Sequence, residues 1–171
     1  MLCPIKRHID QQYKGVHMQV YIGSAIDTSF GSPEEQFKEL SDLVINTLGD
    51  SVVLYNPLTA FGNAHRAVDV ADLEFVVAIN TAAINRCQAG VFIWTDSPSY
   101  GVPVEIENFS QSMKPFVVWN RASKSPGLYL RYATKRFGLG RITSSREETV
   151  EAVRTLVGLV GATQFAEKGQ E

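Results

Sequence analysis

Short apolar segments alternate with longer helical patterns along this chain, and this alternation constrains the fold more than any other feature. Near-continuous apolar runs of four to six residues are typical of parallel strands that are buried on both faces. The predicted strands cover His17–Ile22, Ser51–Tyr55, Val91–Thr95, Phe116–Trp119 and Gly140–Thr143. Repeated βα units with right-handed crossovers predict a doubly wound α/β fold. We expect about five parallel strands in the order 2-1-3-4-5, with helices on both faces.

The segments between the strands contain helix start signals and apolar residues spaced to form the buried face of a helix. Ser32 is placed to cap a helix, with Pro33 at its first position and Glu35 completing a capping box. Ser145 repeats this logic ahead of Glu148. A long helix is predicted from about Ala67 to Cys87. Its expected inward residues are Leu73, Val76, Val77, Ala83, Ile84 and Cys87.

Length and charge place the chain among ordinary globular proteins. Its 171 residues predict a single domain spanning 1–171, long enough to bury a sizeable core. A net charge of −2 gives no broad basic surface for a nucleic-acid backbone. Cys3 and Cys87 form no disulfide framework, which predicts a reducing cytoplasm. We expect neither a signal peptide nor a membrane span.

Residues suited to chemistry follow two predicted strands. Gly23 and Ser24 end the first strand, and the segment from Ser99 to Glu105 follows the third. In the order 2-1-3-4-5 these strands are neighbours, so their terminal loops face one crevice at the carboxyl edge. Glu105 is expected in the first turn of a helix there. Backbone N–H groups and hydroxyls beside it suit a phosphate or a ribose hydroxyl.

Several common site types lack their motifs. The chain has no GxGxxG fingerprint and no GxxxxGK[ST] loop, so hydride transfer and nucleoside triphosphate hydrolysis lose their usual support. The three histidines, His8, His17 and His65, are scattered rather than clustered. We therefore expect no cofactor and no metal.

Two motifs resemble those of the nucleoside 2-deoxyribosyltransferase superfamily, which includes the deoxynucleoside 5'-monophosphate N-glycosidases. The first motif is Tyr21-Ile22-Gly23-Ser24-Ala25, and the second is the Ser-x-Gly-x-x-x-Glu segment from Ser99 to Glu105. The implied fold covers nearly the whole chain as one domain. The specific motifs cover only these two stretches.

The resemblance assigns roles residue by residue. It implies that Glu105 is the nucleophile, that Tyr21 orients its carboxylate, and that Ser99 contacts a 5'-phosphate. Gly23 and Gly101 would allow close approach of the substrate. Ser24, Asp27 and Tyr100 complete the predicted substrate-binding residues. The resemblance also implies a homo-oligomer, with a segment containing Arg121, Tyr129, Arg131 and Tyr132 as the candidate contact to a neighbouring subunit.

The chain departs from the superfamily at the group that handles the leaving base. The superfamily usually has an Asp in the helix before the third strand, where this chain has Thr81 or Ala82, and the nearest amide is Asn80. An Asn can hydrogen-bond a base or sugar but cannot donate a proton as a carboxylic acid does. Asn80 is retained as the candidate, with Asp27, Asp69 and Asp72 as possible substitutes.

The expected chemistry is cleavage or transfer at the N-glycosidic bond of a nucleoside or nucleoside 5'-monophosphate. A carboxylate beneath the anomeric carbon stabilises an oxocarbenium-like state or captures it covalently. Two alternatives stay open. One is a non-catalytic nucleotide-binding or signalling module on the same fold, and the other is a glycohydrolase of NAD-like dinucleotides.

Each candidate also has a purely structural interpretation. A Glu early in a helix is commonly a surface residue that complements the helix dipole. A strand tyrosine such as Tyr21 is commonly a core aromatic, and Ser99 and Gly101 are ordinary turn residues. Glu107 is expected to be a solvated helix residue. Aromatic residues that could sandwich a base are Phe30, Phe61, Trp94 and Tyr100.

Overall fold

The computed structural model describes residues 17–25, 28–61, 70–97 and 101–168. Five parallel strands form one sheet in the order β2-β1-β3-β4-β5, which confirms the predicted doubly wound α/β fold. The strands are β1 (Met18–Ser24), β2 (Val52–Tyr55), β3 (Ala89–Trp94), β4 (Phe116–Asn120) and β5 (Gly140–Thr143). All five predicted strands are present, with bounds shifted by at most two residues.

Six α-helices connect or follow the strands in the described part of the chain. They are α1 (Pro33–Leu48), α2 (Pro57–Phe61), α3 (Val70–Arg86), α4 (Gly101–Gln111), α5 (Leu128–Lys135) and α6 (Arg146–Lys168). Among the residues described, no helix combines the length and apolar character needed to cross a bilayer.

The capping signals are realised as hydrogen bonds. Glu35 N donates to Ser32 Oγ over 3.2 Å, and Ser32 N donates back to the Glu35 carboxylate over 2.7 Å, so the capping box is complete. At α6, Glu148 N donates to Ser145 Oγ over 3.1 Å. These bonds satisfy amides that a helix start leaves without partners.

The helices divide between the two faces of the sheet, and each face has its own apolar core. One core contains Val20, Ile22, Val91 and Ile93 of the central strands with residues of α1 and α6. The other contains Tyr21 and Phe92 with residues of α3, α4 and α5. Alternate residues of a strand point to opposite faces, so Tyr21 and Ile22 serve different cores.

Helix α3 covers the predicted long helix within the described residues, but one of its expected inward positions is wrong. Ala83, Ile84 and Cys87 are buried as predicted, and Val76 is half-buried. Val77 is 57% exposed. It is turned by about 100° from Val76 around the helix axis, which takes it off the buried stripe. Leu73 lies outside the described side chains.

Candidate active site

Glu105 lies on α4 with its carboxylate over β1. Because α4 begins at Gly101 in the described chain, Glu105 is in the second helical turn, and its predicted place in the first turn is wrong. Tyr21 Oη donates a 2.7 Å hydrogen bond to Glu105 Oε1. The two residues are 84 positions apart in sequence. They meet because β1 and β3 are neighbours and α4 follows β3.

The absence of a side chain at Gly23 makes room for this carboxylate. A Cβ atom added there would lie 2.7 Å from Glu105 Oε2 and 2.7 Å from the Phe92 ring. Both separations are far inside van der Waals contact. Gly23 and Tyr21 are two residues apart on β1 and so face the same side of the sheet. One face of one strand therefore supplies both the hydrogen-bond donor and the space for Glu105.

The surroundings of Glu105 change its protonation. Burial of the carboxylate is the larger effect and raises the pKa of Glu105 to about 7, while the hydrogen bond from Tyr21 acts in the opposite direction. Burial and the Glu105 charge in turn raise the pKa of Tyr21 well above its usual range. Tyr21 therefore remains a neutral donor wherever Glu105 is ionised.

The Tyr21 ring is fixed by three aromatic neighbours. It stacks on Tyr55 with ring centroids 5.5 Å apart and planes at 19°. It contacts Phe92 at 6.0 Å and Phe109 at 5.9 Å in tilted arrangements. Tyr21 is fully buried, so this packing holds its hydroxyl at the carboxylate with little freedom to rotate away.

Asn80 lies on α3, which packs over the same face of the sheet. It precedes the buried Ala83 and Ile84 by about one helical turn and so continues their stripe. Asn80 is half-buried, and its Oδ1 atom is buried without a hydrogen-bond partner among the described residues. This unsatisfied acceptor makes Asn80 a candidate ligand contact.

The other predicted site residues fare differently. Gly101 opens α4, and a Cβ there would lie 4.0 Å from Glu105 Oε1, so it borders the carboxylate. The Ser24 hydroxyl bonds instead to Gln36 of α1 over 3.3 Å and to the Ala25 carbonyl over 3.2 Å. It thus faces the opposite core, and only the main chain of Ser24 is left for the predicted substrate contact. Asp27, Ser99 and Tyr100 lie outside the described residues.

Two features beside the site were missed from sequence. Tyr55 of β2 pairs in register with Tyr21, and its hydroxyl is buried without a partner among the described residues. Its position at the carboxyl end of a strand beside β1 was the available signal. Glu107 is not simply solvated, because it accepts hydrogen bonds from Arg136, Tyr129 and Gln111 over 3.1, 3.0 and 2.8 Å.

In the segment after β4, Arg121 packs against the rest of the chain, whereas two tyrosine rings of α5 are exposed. Arg121 forms an ion pair with Glu39 at 2.5 Å and lies 4.5 Å from the centre of the Phe30 ring. Tyr129 and Tyr132 of α5 are 51% and 58% exposed. These rings are accessible to a neighbouring subunit, and that role stays a prediction.

No metal cluster is present in the part of the chain that the structure describes. There, no three or more His, Cys, Asp or Glu side chains are grouped in a way that could hold an ion. The Cys87 thiol is buried, and burial raises its pKa to about 11, so it stays protonated near neutral pH. The arrangement thus offers one ionisable carboxylate, a neutral tyrosine donor and two buried polar atoms that have no partner among the described residues.

The chain shares its fold with proteins of solved structure. A 2-deoxyribosyltransferase from Bacillus psychrosaccharolyticus matches with a TM-score of 0.60 at 11% identity, covering 76% of this chain and 88% of that chain. A conserved protein from Enterococcus faecalis V583 matches with a TM-score of 0.63 at 17% identity, covering 82% and 99%. A CMP N-glycosidase from Clostridium botulinum reaches only 0.47 at 16% identity, covering 78% and 96%. No family model and no curated protein sequence matches the chain.

Proposed function

We propose that this protein cleaves the N-glycosidic bond of a nucleoside or nucleoside 5'-monophosphate, with Glu105 as the nucleophile. The observation that carries the proposal is the buried Glu105 carboxylate held by Tyr21 over 2.7 Å at the switch point of the sheet. Open α/β sheets bind their ligands at this point. The fold is also that of a 2-deoxyribosyltransferase, although at 11% identity this likeness supports the fold and not the reaction.

The two carboxylate oxygens have different surroundings. Oε1 accepts the Tyr21 hydrogen bond, whereas Oε2 accepts none from the described residues. Oε2 lies in the space left by the missing Gly23 side chain. We assign Oε2 as the attacking atom and Oε1 as the atom that fixes the orientation of the group.

The reaction proceeds in two displacements. Glu105 Oε2 forms a bond to the anomeric carbon as the bond from that carbon to the base nitrogen breaks, and the nitrogen keeps the electron pair and takes a proton from water. Water then attacks the anomeric carbon, the ester bond to Oε2 breaks, and the carboxylate is regenerated with release of a proton. A second base in place of water gives transfer.

The electrostatics of the site suit such a nucleophile. A carboxylate with a pKa of about 7 is a stronger base than an exposed one and remains ionised in half or more of the molecules at or above neutral pH. A neutral donor on Oε1 favours ionisation without adding a positive charge that would repel an oxocarbenium-like state. Because the described residues place no cation beside Glu105, its negative charge is available to stabilise the positive charge of the transition state.

The test is release of free base from a panel of ribo- and 2-deoxyribonucleosides, their 5'-monophosphates and NAD, followed by chromatography. We expect turnover of at least one member by the wild type and a loss on the order of 10³-fold or more in Glu105→Gln. Glu107→Gln is the matched control, since it alters a carboxylate two residues away on the same helix, and it should keep nearly full activity.

Mass spectrometry of the acid-quenched reaction provides a second readout. A covalent intermediate adds the mass of one glycosyl group to the chain, and this adduct should be absent from Glu105→Gln. Absence of base release from every panel member, or undiminished release by Glu105→Gln, would refute the proposal. NAD turnover without mononucleotide turnover would favour the dinucleotide glycohydrolase.

A non-catalytic nucleotide-binding module is the second candidate. Asn80 favours it, because an amide at this position on α3 cannot protonate a leaving base. This candidate predicts that members of the same panel raise the melting temperature without any release of base. Turnover that depends on Glu105 would eliminate it.

A further inference from the structure

Tyr55 occupies a distinctive position beside the candidate nucleophile. It is the last residue of β2 and pairs with Tyr21 in the parallel register of β1 and β2. Paired residues of neighbouring strands point to the same face, and the nearly parallel rings at 5.5 Å show that both tyrosines do so here. Only one of the two hydroxyls, that of Tyr21, has a partner in the described structure.

The buried Tyr55 hydroxyl is costly as it stands. Leaving a buried donor or acceptor unsatisfied destabilises the folded state, whereas a phenylalanine would give the same stacking without that cost. Most buried polar groups in proteins have partners, and exceptions call for an explanation. Asn80 Oδ1 is the other buried side-chain atom without a partner in the described chain. These two atoms are therefore a pair of exceptions.

Both exceptions lie on the face of the sheet that carries Glu105. Tyr55 packs against the core cluster that contains Tyr21, Ala83, Ile84 and Cys87. Asn80 is one turn before Ala83 and Ile84 on the helix that covers this cluster. The Tyr55 ring stacks on Tyr21, whose hydroxyl binds Glu105, and burial first, then the Cys87 thiol and the Glu105 charge, raise the pKa of Tyr55.

We propose that Tyr55 is a substrate-contacting residue whose buried hydroxyl, together with Asn80 Oδ1, binds one polar group of the ligand beside Glu105. This inference rests on the proposed function. Asn80 Oδ1 requires a donor from the ligand, and the Tyr55 hydroxyl can supply a donor to an acceptor. A ligand group that donates and accepts at once satisfies both atoms. A sugar hydroxyl and the amide-like edge of a nucleobase both have this chemistry.

The decisive variant is Tyr55→Phe, because it keeps the ring that stacks on Tyr21 and deletes only the unsatisfied hydroxyl. We expect kcat/KM to fall about tenfold on substrates that carry the recognised group. The midpoint of urea unfolding should stay the same or rise, since a buried polar group without a partner has been removed. Thr155→Val, which deletes an exposed hydroxyl of α6 on the opposite face of the sheet, is the control and should change neither quantity.

A double-mutant cycle tests whether the two atoms bind the same group. The losses in kcat/KM of Tyr55→Phe and Asn80→Ala should not add in the double variant if both depend on one ligand group. Paired ribo- and 2-deoxyribonucleoside 5'-monophosphates locate that group. A Tyr55→Phe effect confined to ribonucleotides identifies a sugar hydroxyl, and one confined to particular bases identifies a base edge.

The outcomes separate this inference from the proposed function. Full kcat/KM of Tyr55→Phe in an enzyme that depends on Glu105 would overturn the inference and leave the function standing. So would a loss of activity that accompanies an equal loss of stability, since that is the signature of a structural residue. If the wild type releases no base, weaker binding of the nucleotide panel to Tyr55→Phe than to wild type, measured by calorimetry, would support the contact, and equal binding would refute it.

Discussion

Glu105 and Glu107 are two glutamates on one turn of α4, and their surroundings are opposite in kind. Each accepts a hydrogen bond from a tyrosine, Glu105 from Tyr21 at 2.7 Å and Glu107 from Tyr129 at 3.0 Å. Glu107 also has a cation, Arg136, at 3.1 Å. Within the described structure Glu105 forms no ion pair, and its burial raises its pKa.

The difference teaches what marks a carboxylate for chemistry in this fold. Glu105 and Glu107 are two positions apart, which corresponds to about 200° around the helix axis. Glu105 therefore faces the sheet, and Glu107 faces α5. A carboxylate with a cation beside it has its charge compensated, which suits a structural role. A buried carboxylate with only a neutral donor costs stability, and such a cost is typical of functional sites.

The largest expected effect is on stability. The folded pKa of Glu105, about 7, lies above the ordinary value of 4.5, so the group's contribution to stability is fully present below about pH 4.5 and is lost as pH rises through 7. The loss should amount to roughly 3 kcal/mol. Glu105→Gln removes this penalty, so its stability relative to wild type should increase between pH 4.5 and pH 7 and then level off.

Urea unfolding of both proteins at pH 5 and pH 8 measures this difference. Glu107→Gln retains the buried carboxylate and should retain the wild-type fall in stability. If Glu105→Gln lost as much stability as the wild type between these pH values, the contrast between the two glutamates would be wrong.

The next effect is on the pH dependence of activity. If ionised Glu105 is the nucleophile, kcat/KM should rise about tenfold per pH unit below pH 7 and level off above it. Tyr21→Phe deletes the hydrogen bond that lowers the pKa of Glu105, so its midpoint should move to higher pH. Tyr129→Phe deletes the equivalent donor to Glu107 and should leave the midpoint unchanged. Equal midpoints in all three proteins would contradict the assignment of Tyr21.

Gly23→Ala probes the space on which the Glu105 arrangement depends. Its Cβ would lie 2.7 Å from both Glu105 Oε2 and the Phe92 ring, so one of them must move. We expect a loss of about 1–3 kcal/mol in the free energy of unfolding and a marked loss of activity. Gly101→Ala is the control for stability, since its Cβ would lie 4.0 Å from Glu105 Oε1, an ordinary contact. Similar losses of stability in both variants would show that the close approach at Gly23 has no special importance.

Sequence was sufficient for the fold because the fold depends on local patterns. The apolar runs placed β1 to β5, and the capping box at Ser32 and the cap at Ser145 placed the starts of α1 and α6. The strand order then brought the Tyr21 and Glu105 regions together. The features that the sequence did not predict depend on contacts between segments that are far apart in the chain.

Three residues illustrate that limit. The sequence around Tyr55 is that of an ordinary strand aromatic, and only the structure shows that its hydroxyl is buried without a partner among the described residues. Glu107 reads as solvated, because the arginine that pairs with it is 29 residues away on another element. Val77 is apolar, as core residues are, but the orientation of α3 on the sheet turns its side chain towards solvent. The catalytic roles of Tyr21, Asn80 and Glu105 stay predictions.

The smallest expected effect concerns the ion pair of Glu107. Arg136 and Glu107 keep 34% and 20% of their side-chain surface exposed, so solvent screens much of their attraction. Arg136→Ala should cost about 0.5–1 kcal/mol in the free energy of unfolding at low salt, and less in 0.5 M salt. Arg154→Ala breaks a pair with Glu151 in which both side chains are 60% exposed, and it should cost less still. Base release should be unchanged in both variants, because neither touches the Glu105 side of α4. An activity loss in Arg136→Ala would mean that the two glutamates are coupled, and that the cation on one face of the helix helps to set the reactivity of the carboxylate on the other.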